Sequence, residues 1–434
     1  MLLRDPVHGL ISFELEEELI VPRLLEAPEV QRLRRIRQLG LTSLAFPGAE
    51  HTRLSHALGA AHVMQLFVAR LRKVHDELPF WQRLTSERAR DALAAALLHD
   101  IGHGPLSHLF EDAVEHATGR CRAHEEWTEQ ILLDEGTEVH RILSRDDPEL
   151  PRRVAGLVRG EHQLPYLARA VSGTFDVDRC DYLLRDAHAT GVGYGDYDLP
   201  WLLRSLRFGE SHGGAPPGLA IDGPKGMNAI ESFILARLFM FQQVYFHKAT
   251  RAAEWMIRAI LRRAMHLIQD GEHLVNVPAA MVAFAAGDTP SLGDYLALDD
   301  QALLETINGW RDTRDPVLAD LCQRLRARVL FKTEELYGEA QLSPRREAAY
   351  AIVRAIAEEE GFNPDYYTGL DVATDTPYAE DSSLTVLFGT GGPRRPTEVS
   401  FVLDRLKDET LSRVRVVFPR EIRPRVREAL ANLT

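Results

Sequence analysis

The stretch ALLHDIGHGPLSHLF, residues 96–110, runs an apolar helical segment directly into a group of ionisable side chains. His99 and Asp100 end the apolar run, and His103 and His108 follow after it, separated by two glycines and a proline. An unpaired charge at the buried end of a helix is costly. The stretch therefore predicts either a surface pair at a helix end or a site where a ligand compensates the buried groups.

The composition is that of an ordinary globular protein. The chain has 434 residues, of which 45% are hydrophobic and 26% charged, enough for a large core and more than one folding unit. A net charge of −13 argues against a main role in coating nucleic acid or an anionic membrane. No apolar run is long enough to span a bilayer, no signal-peptide core opens the chain, and the three cysteines lie far apart. These features predict a cytoplasmic protein without a disulfide framework.

Hydrophobic spacing predicts a mainly α fold. Apolar residues recur at helical intervals through most of the first 330 residues. The predicted helices are 28–38, 52–74, 87–99, 105–116, 123–134, 148–159, 176–188 and a long helix or helix pair over 227–268. Strand-like pieces around 206–222, on either side of the loop SHGGAPPG, interrupt the helices.

The pattern changes after about residue 330. The segments 329–336, 383–389 and 413–418 predict short strands, and 344–359 and 420–432 predict helices. The sequence thus predicts a helical body over residues 1–330 and a small C-terminal α+β appendage over residues 331–434.

His99 and Asp100 are candidate metal ligands. Adjacent residues on a helix point about 100° apart, but both can contact a cation at the helix end when other helices supply further ligands. Neutral imidazole with carboxylate suits iron, manganese, nickel, zinc or magnesium rather than a soft thiolate site. The dipeptide also arises by chance, so taken alone it leaves the surface pair open.

Two further segments supply more donors. In TRLSHALGAAH (52–62), His56 lies on the apolar side of a predicted helix, where a core histidine bonded to a backbone carbonyl is the plain alternative. In TFDVDRCDYLLRD (174–186), four aspartates lie beside an apolar stripe, more than a solvated face needs. Asp181 and Arg185 in that segment could form an ordinary i,i+4 ion pair.

These residues carry a resemblance to a known family. His56, the pair His99-Asp100 and Asp178 resemble, in this order, the H…HD…D signature of the HD superfamily of metal-dependent phosphohydrolases. The blocks that match in order and spacing are DPVHG (5–9), QRLRRIRQLG (31–40), FPGAEHTRLSHALG (46–59), HDIGHGPLSHLFE (99–111), DVDRCDYLLRD (176–186) and VYFHK (244–248). Together they resemble the deoxynucleoside triphosphate triphosphohydrolases (dNTPases), nearest the SAM- and HD-domain dNTPase and its bacterial relatives, although no SAM domain is recognisable in this sequence.

The resemblance implies an HD-domain helical catalytic core with a metal site. Its implied ligands are His56, His99, Asp100 and Asp178. The implied cofactor is a divalent ion of iron, manganese, nickel, zinc or magnesium, with Mg²⁺ on the substrate phosphates. Two nitrogens and two oxygens would leave open positions for water and a phosphate oxygen, as a hydrolytic site requires.

The resemblance also implies an acid. It places His108 beside the scissile phosphate as proton donor to the leaving 5′-oxygen, with Glu111 orienting it and with His103 and His124 as the other active-site histidines. Expelling an alkoxide needs an acid, and imidazole titrates near neutral pH. The plain alternatives are an exposed glutamate at position 111 and a helix-start histidine at position 124.

The resemblance further implies a substrate site. Arg53, Arg179 and Arg237 match phosphate-binding positions, a role that the planar guanidinium suits. The positions implied to hold the deoxyribose are Gln38, Leu39, Tyr182, Asp186 and Tyr245. A tyrosine against C2′ would exclude a ribose hydroxyl by sterics and by burying it unpaired. Surface arginines and a core aromatic at position 245 are the alternatives.

A regulatory site is only partly matched. Positions that match the family's guanine-reading effector site are Gln31, Arg34, Lys225 and Lys248, and positions that depart from it are Glu26, Leu199 and Met1. Allosteric activation by a nucleotide such as dGTP, activation by another nucleotide, and no activation therefore all stay open. The resemblance implies a homo-oligomer, a dimer or a tetramer.

The implied function is metal-dependent hydrolysis of deoxynucleoside triphosphates to deoxynucleoside and inorganic triphosphate, by attack of metal-bound water on the α-phosphorus. The alternatives are an HD phosphohydrolase acting on a nucleoside monophosphate, a cyclic nucleotide or an alarmone, and a nucleotide-sensing protein without activity. The filled ligand positions argue against the sensor, and the three separated arginines argue against a monophosphatase. Nucleic acid is not expected as the main partner, because the chain is acidic.

Overall fold

The computed structural model describes residues 1–431 except 75, 77, 120, 210–217, 381–383 and 390–391. The described residues are mainly helical with small sheets, which confirms the predicted fold class. The helices are α1 (Ile20–Leu25), α2 (Pro28–Arg32), α3 (Arg53–Val74), α4 (Ser86–Leu98), α5 (His108–Thr118), α6 (His124–Leu133), α7 (Glu138–Asp146), α8 (Leu150–Val158), α9 (Pro165–Val171), α10 (Val177–Thr190), α11 (Leu199–Arg204), α12 (Gly223–Met240), α13 (Lys248–Gln269), α14 (Ala279–Ala285), α15 (Leu292–Leu296), α16 (Asp300–Gly309), α17 (Pro316–Arg326), α18 (Arg345–Glu359), α19 (Pro364–Tyr367), α20 (Pro396–Val399), α21 (Phe401–Leu406) and α22 (Arg423–Ala431). The strands are β1 (Leu2–Asp5), β2 (Gly9–Ser12), β3 (Leu206–Gly209), β4 (Gly218–Asp222), β5 (Lys332–Leu336), β6 (Gly369–Asp375), β7 (Thr385–Leu387) and β8 (Leu411–Phe418).

The strands form three small sheets. β1 and β2 make an antiparallel hairpin, and β5, β8 and β6 lie side by side in that order, all antiparallel. In the third sheet β4 pairs antiparallel with β3 and parallel with β7. Because β7 comes from the C-terminal part of the chain, residues on both sides of position 330 share this sheet, and the boundary at 330 stays a prediction.

Several predicted helices begin or end at other residues than expected. The predicted helix 28–38 stops early, because Ile36 turns extended and the chain pairs with residues 51–53, where Gln38 N–H donates to the His51 carbonyl. Helix α5 begins at residue 108 rather than 105, because Leu106 and Ser107 take positive φ angles of 55° and 57°. The segment 227–268 is a helix pair, joined by a π-helical turn. The loop predicted at SHGGAPPG lies outside the described residues apart from its last glycine.

Helix α4 lies at the centre of the largest core cluster. Residues 92–98 of this helix, ALAAALL, are all buried, and the small alanines let α3, α8 and α1 approach closely. A second apolar cluster surrounds α13, and a third lies between the β5–β8–β6 sheet and α18 with α22. Among the described residues, no helix combines the length and the hydrophobicity that crossing a bilayer demands. The end of α4 thus brings residues 99 and 100 into the interior of the body.

Candidate active site

Three packed helices bring the four predicted metal ligands together. His56 lies in the first turn of α3, His99 caps the C-terminal end of α4 with Asp100 directly after it, and Asp178 lies in the first turn of α10. Since α3 packs against both α4 and α10, residues far apart in sequence meet at one point.

The donor atoms are spaced as ligands of one ion. His56 Nε2 lies 3.0 Å from Asp178 Oδ1 and 3.4 Å from His99 Nε2, and His99 Nε2 lies 3.5 Å from Asp178 Oδ1. Two donors each about 2.1 Å from the same ion are separated by about 3.0 to 3.4 Å. His56, His99 and Asp178 therefore fit one divalent ion between them.

Asp100 lies at the edge of this cluster. Its carboxylate oxygens are 3.5 Å from His99 Nε2 and 3.8 Å from His56 Nε2. The same carboxylate accepts a hydrogen bond from the guanidinium of Arg53. Asp100 is thus close enough to act as a fourth ligand and is also the partner of a predicted phosphate-binding arginine.

Hydrogen bonds fix which nitrogen of each histidine faces the cluster. His99 Nδ1 lies 2.9 Å from the Ala96 carbonyl, which only accepts, so Nδ1 carries the proton and Nε2 is left for the ion. His56 Nδ1 lies 2.8 Å from a carboxylate oxygen of Asp181. The plain alternative for His56, a core histidine bonded to a backbone carbonyl, is therefore wrong, because this ring lies between two carboxylates.

The site favours positive charge. Burial disfavours the imidazolium of His56, but its hydrogen bonds to Asp178 and Asp181 outweigh burial and raise its pKa to about 10. Burial is likewise outweighed at His99, where the nearby carboxylates of Asp100 and Asp178 raise the pKa. Despite burial, the same histidines hold the pKa of Asp178 below its usual range. Without a metal, these carboxylates favour a second proton on each imidazole, at the nitrogen where an ion would bind.

Metal affinity should therefore rise with pH. A proton must leave Nε2 of a protonated histidine before that nitrogen binds an ion, and the raised pKa values of His56, about 10, and of His99 extend this competition to higher pH. We expect the association constant for Co²⁺ to increase about tenfold per pH unit for each proton displaced, between about pH 6 and pH 8. Cobalt titrations followed by visible absorbance would measure it, and an affinity independent of pH would contradict these protonation states.

The four predicted catalytic residues form a second cluster around Glu111. His108 Nδ1 lies 3.6 Å from Glu111 Oε2, and His124 Nδ1 lies 3.3 Å from Glu111 Oε1. The rings of His103 and His124 are stacked with centroids 3.8 Å apart, and His103 Nε2 lies 3.3 Å from Asp100 Oδ1. The cluster therefore adjoins the metal ligands directly. Glu111 is mostly buried rather than exposed, with 15% of its side chain accessible.

The pKa values of two histidines in this cluster are shifted in opposite directions. The nearby carboxylate of Glu111 raises the pKa of His108, whereas burial holds the pKa of His103 well below its usual value. Burial would raise the pKa of Glu111, but its bonds to His108 and His124 outweigh this and lower it. The His108 side chain is 67% exposed. His108 is thus the accessible member of the cluster whose pKa is raised, a combination that suits a general acid.

The loop before His108 is strained and tightly held. Leu106 and Ser107 occupy the left-handed region, which non-glycine residues enter at a cost and which often marks functional sites. Leu106 N–H donates to Asp300 Oδ1 at 2.7 Å, and Arg53 Nε donates to Ser107 Oγ at 2.8 Å. A Cβ on Gly102 would lie 2.2 Å from the His124 carbonyl oxygen, so glycine there allows the loop to approach α6.

The predicted sugar residues lie beside the metal cluster. Tyr245 O–H donates to Asp186 Oδ2 at 2.8 Å, and His51 Nε2 lies 2.7 Å from the other oxygen of Asp186. The Tyr182 ring lies between Tyr245 and His56, with centroid distances of 6.3 Å and 6.5 Å. Tyr245 is therefore not a plain core aromatic.

Gln38 and Leu39 adjoin the same region through His51. Gln38 N–H donates to the His51 carbonyl at 3.0 Å, and Gln38 Oε1 is buried without a hydrogen-bond partner among the described residues. Leu39 is half-buried and packs against the core of the body. The structure thus brings Tyr182, Asp186 and Tyr245 beside the metal cluster and joins Gln38 to them through His51.

The three predicted phosphate arginines are placed in two groups. Arg53 lies at the metal cluster, whereas Arg179 and Arg237 line a separate cavity of about 390 Å³. Arg179 forms an ion pair with Asp176, and Arg237 donates to Asp375 Oδ1 at 2.7 Å. The alternative of ordinary surface arginines does not hold, because each guanidinium is at least half-buried and bonded to a carboxylate.

The matched effector residues lie in α2 and near the starts of later helices. Arg34 Nε donates to Gln31 Oε1 at 2.6 Å on the exposed side of the turn that follows α2. Lys225 lies in the first turn of α12, 3.4 Å from Asp222, and Lys248 begins α13. A nucleotide site at these residues stays a prediction.

Sequence reasoning gave no role to several residues that the structure places at the site. Asp181 was interpreted only as the ion-pair partner of Arg185, although it also bonds His56. His51 and Asp375 bond predicted substrate residues. The motif DPVHG signalled that residues 5–9 matter, but nothing in the sequence indicated Asp375.

Comparisons with known proteins agree with this arrangement. A family model described as the HD domain matches residues 53–186, and one described as the HD associated region matches residues 198–433. The uncharacterized protein YwfO of Bacillus subtilis is 37% identical over 375 residues, which cover 86% of this chain and 80% of that protein. A solved structure of a phosphohydrolase from Bacteroides thetaiotaomicron superposes with a TM-score of 0.80 at 28% identity, covering 97% of this chain and 100% of that one.

A relative of named activity also matches. Deoxynucleoside triphosphate triphosphohydrolase SAMHD1 of Gallus gallus is 28% identical over 369 residues, which cover 78% of this chain and 56% of that protein. The chain therefore spans little more than half the length of that relative. The chain belongs to the HD-domain phosphohydrolase family, in the branch that carries the HD-associated region and is related to the deoxynucleoside triphosphate triphosphohydrolases.

Proposed function

We propose that the protein hydrolyses deoxynucleoside triphosphates, releasing the deoxynucleoside and intact inorganic triphosphate. The observation that carries this proposal is one face of helix α10. Asp178, Tyr182 and Asp186 follow at intervals of four residues, so they lie on the same side of the helix. A metal ligand, an aromatic ring and a sugar-directed carboxylate are thus arranged in a row, and the relationship to SAMHD1 supports the same substrate class.

The residues that would hold the metal are His56, His99, Asp100 and Asp178. A divalent ion bound there would polarise the α-phosphate and activate a water molecule for attack on the phosphorus. Arg53, bonded to Asp100 and to Ser107, adds a fixed positive charge next to that point. The buried cluster thereby compensates charge that develops on the phosphate oxygens.

His108 would donate the proton that the leaving group needs. Water adds its oxygen to the α-phosphorus and loses one proton to solvent, the bond between this phosphorus and the 5′-oxygen breaks, and the His108 proton passes to that oxygen. A proton from solvent then restores His108. Glu111 would hold the imidazolium in place, and its carboxylate raises the pKa of His108, which favours the protonated form that this step needs. The triphosphate product keeps the oxygen that came from water.

Arg179 and Arg237 would bind the distal phosphates. They line one cavity with the hydroxyl groups of Ser172 and Thr174. The Nη nitrogens of Arg237 donate to Asp375 and to the carbonyls of Thr376 and Pro377, which fixes the guanidinium, and its buried Nε has no hydrogen-bond partner among the described residues. A site built to take several phosphates in this way suits a triphosphate better than a monophosphate.

The tyrosines give a test of sugar selectivity. Tyr182 and Tyr245 form a wall beside Asp186, and a ribose 2′-hydroxyl pressed against it would be buried without a partner. We expect Tyr245→Ala to reduce the ratio of kcat/KM for dATP over ATP by about tenfold or more. Tyr337→Ala, which changes a tyrosine that is 66% exposed, is the matched control. An unchanged ratio in a folded Tyr245→Ala variant would show that Tyr245 does not exclude the ribose 2′-hydroxyl.

The substrate class is tested by a panel of nucleotides. Metal-loaded protein would be incubated with deoxynucleoside triphosphates, ribonucleoside triphosphates, monophosphates, cyclic nucleotides and a guanosine alarmone, at equal concentrations. We expect turnover of the deoxynucleoside triphosphates alone. Turnover of a monophosphate, a cyclic nucleotide or the alarmone in their place would show that the site serves another reaction of the family.

Activation by a nucleotide and assembly into a homo-oligomer stay predictions. Light scattering with and without added dGTP would measure the mass of the particle in solution. A mass that matches a dimer or tetramer only in the presence of the nucleotide would support an effector site.

A further inference from the structure

The motif DPVHG at residues 5–9 has no part in the proposed reaction, yet its ionisable side chains are buried. Asp5 ends β1, and His8 lies in the turn that leads to β2. Their side chains are 3% and 6% exposed. Burial of two titratable groups at a hairpin is costly unless they are paired.

Both side chains are linked by hydrogen bonds to Asp181, His8 directly and Asp5 through Arg185. The side chain of Asp181 is completely buried. His8 Nε2 lies 2.6 Å from Asp181 Oδ1, and His56 Nδ1 lies 2.8 Å from Asp181 Oδ2. Arg185 donates to both oxygens, from Nε and Nη2, at 2.8 Å each. Four hydrogen bonds therefore hold this carboxylate in one orientation.

Asp5 completes the network behind Arg185. Arg185 Nη1 donates to Asp5 Oδ2 at 2.8 Å, and Asp5 Oδ1 accepts the backbone N–H groups of Val7 and His8 at 2.9 Å each. The turn of the hairpin is thus bonded to the same arginine that holds Asp181. The network spans the sequence from residue 5 to residue 185.

Close packing leaves Asp181 no other position. A Cβ on Gly59 would lie 1.9 Å from Asp181 Oδ1 and 2.3 Å from Arg185 Nη2. Only glycine allows α3 to approach the carboxylate so closely. Since His56 lies one turn before Gly59 on α3, the helix that carries the metal ligand is packed directly on the network.

We propose that the N-terminal hairpin positions the metal ligand His56. His8 directly, and Asp5 through Arg185, hold Asp181, which binds the Nδ1 proton of His56 and leaves Nε2 facing the metal cluster. Partners of this kind orient the ring and strengthen the ligand. The inference rests on the metal site of the proposed function, and it makes residues 5–8 positioning residues for that site.

Cobalt binding by the full-length chain tests this directly. We expect His8→Ala to weaken Co²⁺ binding by about tenfold, since loss of such a partner typically costs 10-fold to 100-fold in affinity. His8→Gln keeps an N–H donor and should recover part of the loss. His62→Ala is the matched control, because the His62 ring lies 5.3 Å from that of His8 but bonds Gln65 rather than Asp181.

The readouts are the dissociation constant for Co²⁺, the visible spectrum of the bound ion and the melting temperature of the metal-free protein. A lower affinity with an unchanged melting temperature supports positioning. Equal cobalt affinity in wild type and His8→Ala overturns it, as does equal weakening in His62→Ala. If His8→Ala does not fold, the comparison is made with Asp5→Asn, for which a smaller loss is expected and no loss overturns the inference. Wild-type protein that binds cobalt but turns over no nucleotide would refute the proposed function and leave this inference standing.

Discussion

Asp178→Ala is expected to abolish metal binding and hydrolysis while the fold stays close to intact. Asp178 supplies the oxygen that both His56 and His99 face, at 3.0 Å and 3.5 Å. Its side chain is 32% exposed, so its removal leaves no buried cavity. We expect affinity for the metal to fall by more than about a hundredfold, beyond the effect of losing a neighbouring hydrogen-bond partner.

Metal content after dialysis, turnover and melting temperature would be measured together for this variant. Asp76→Ala is the control, because this aspartate is 84% exposed, pairs with Arg83 and is not among the donors of the cluster. A variant at position 178 that keeps its metal and its activity would end the assignment of Asp178 as a ligand.

His108→Ala is expected to bind metal and nucleotide but to turn over at least about a hundredfold more slowly, the usual contribution of a general acid. His108 is not one of the three donors His56, His99 and Asp178 that lie within reach of one ion, so metal binding there should survive. The raised pKa of His108 gives a second signature. Wild-type activity should decline as the pH rises through that pKa, because the acid loses its proton, and this decline should be absent in the variant.

Single-turnover rates would be measured across pH, and nucleotide affinity would be measured separately. Together they distinguish a loss of proton donation from a loss of nucleotide binding. His116→Ala is the matched control, since His116 lies exposed in the same helix outside the cluster. An unchanged rate in His108→Ala would mean that another group, or water, protonates the leaving oxygen.

Much of the helical body follows from local sequence. The apolar run of α4 and the regular spacing in α3 and α10 predict these helices to within one or two residues. The hairpin of residues 2–12 gave no comparable signal, because its strands are four residues long and its pairing is stabilised by Arg185, far along the chain. The early end of the helix at residue 32 has the same kind of cause, since pairing with residues 51–53 overrides local preference.

The site was predictable in membership but not in its pairings. The order of His56, His99 and Asp178 indicated the ligands, and the structure places them together. Two pairings depend on tertiary packing, which the spacing of residues in the sequence does not reveal. Asp100 also bonds Arg53, and Arg237 pairs with Asp375, 138 residues away. Asp181 shows the limit most plainly. An i,i+4 pair with Arg185 is one interpretation of it in the sequence, and only the fold shows that it also bonds His56 and His8.

The identity of the products tests the central claim most directly. Metal-loaded protein would be incubated with each of the four deoxynucleoside triphosphates and with GTP, singly and mixed, and the products would be resolved by ion-exchange chromatography. We expect the deoxynucleoside triphosphates to yield deoxynucleoside and intact triphosphate in equal amounts, and GTP to remain unchanged. Release of orthophosphate or pyrophosphate, or no turnover with any metal and mixture, would contradict it.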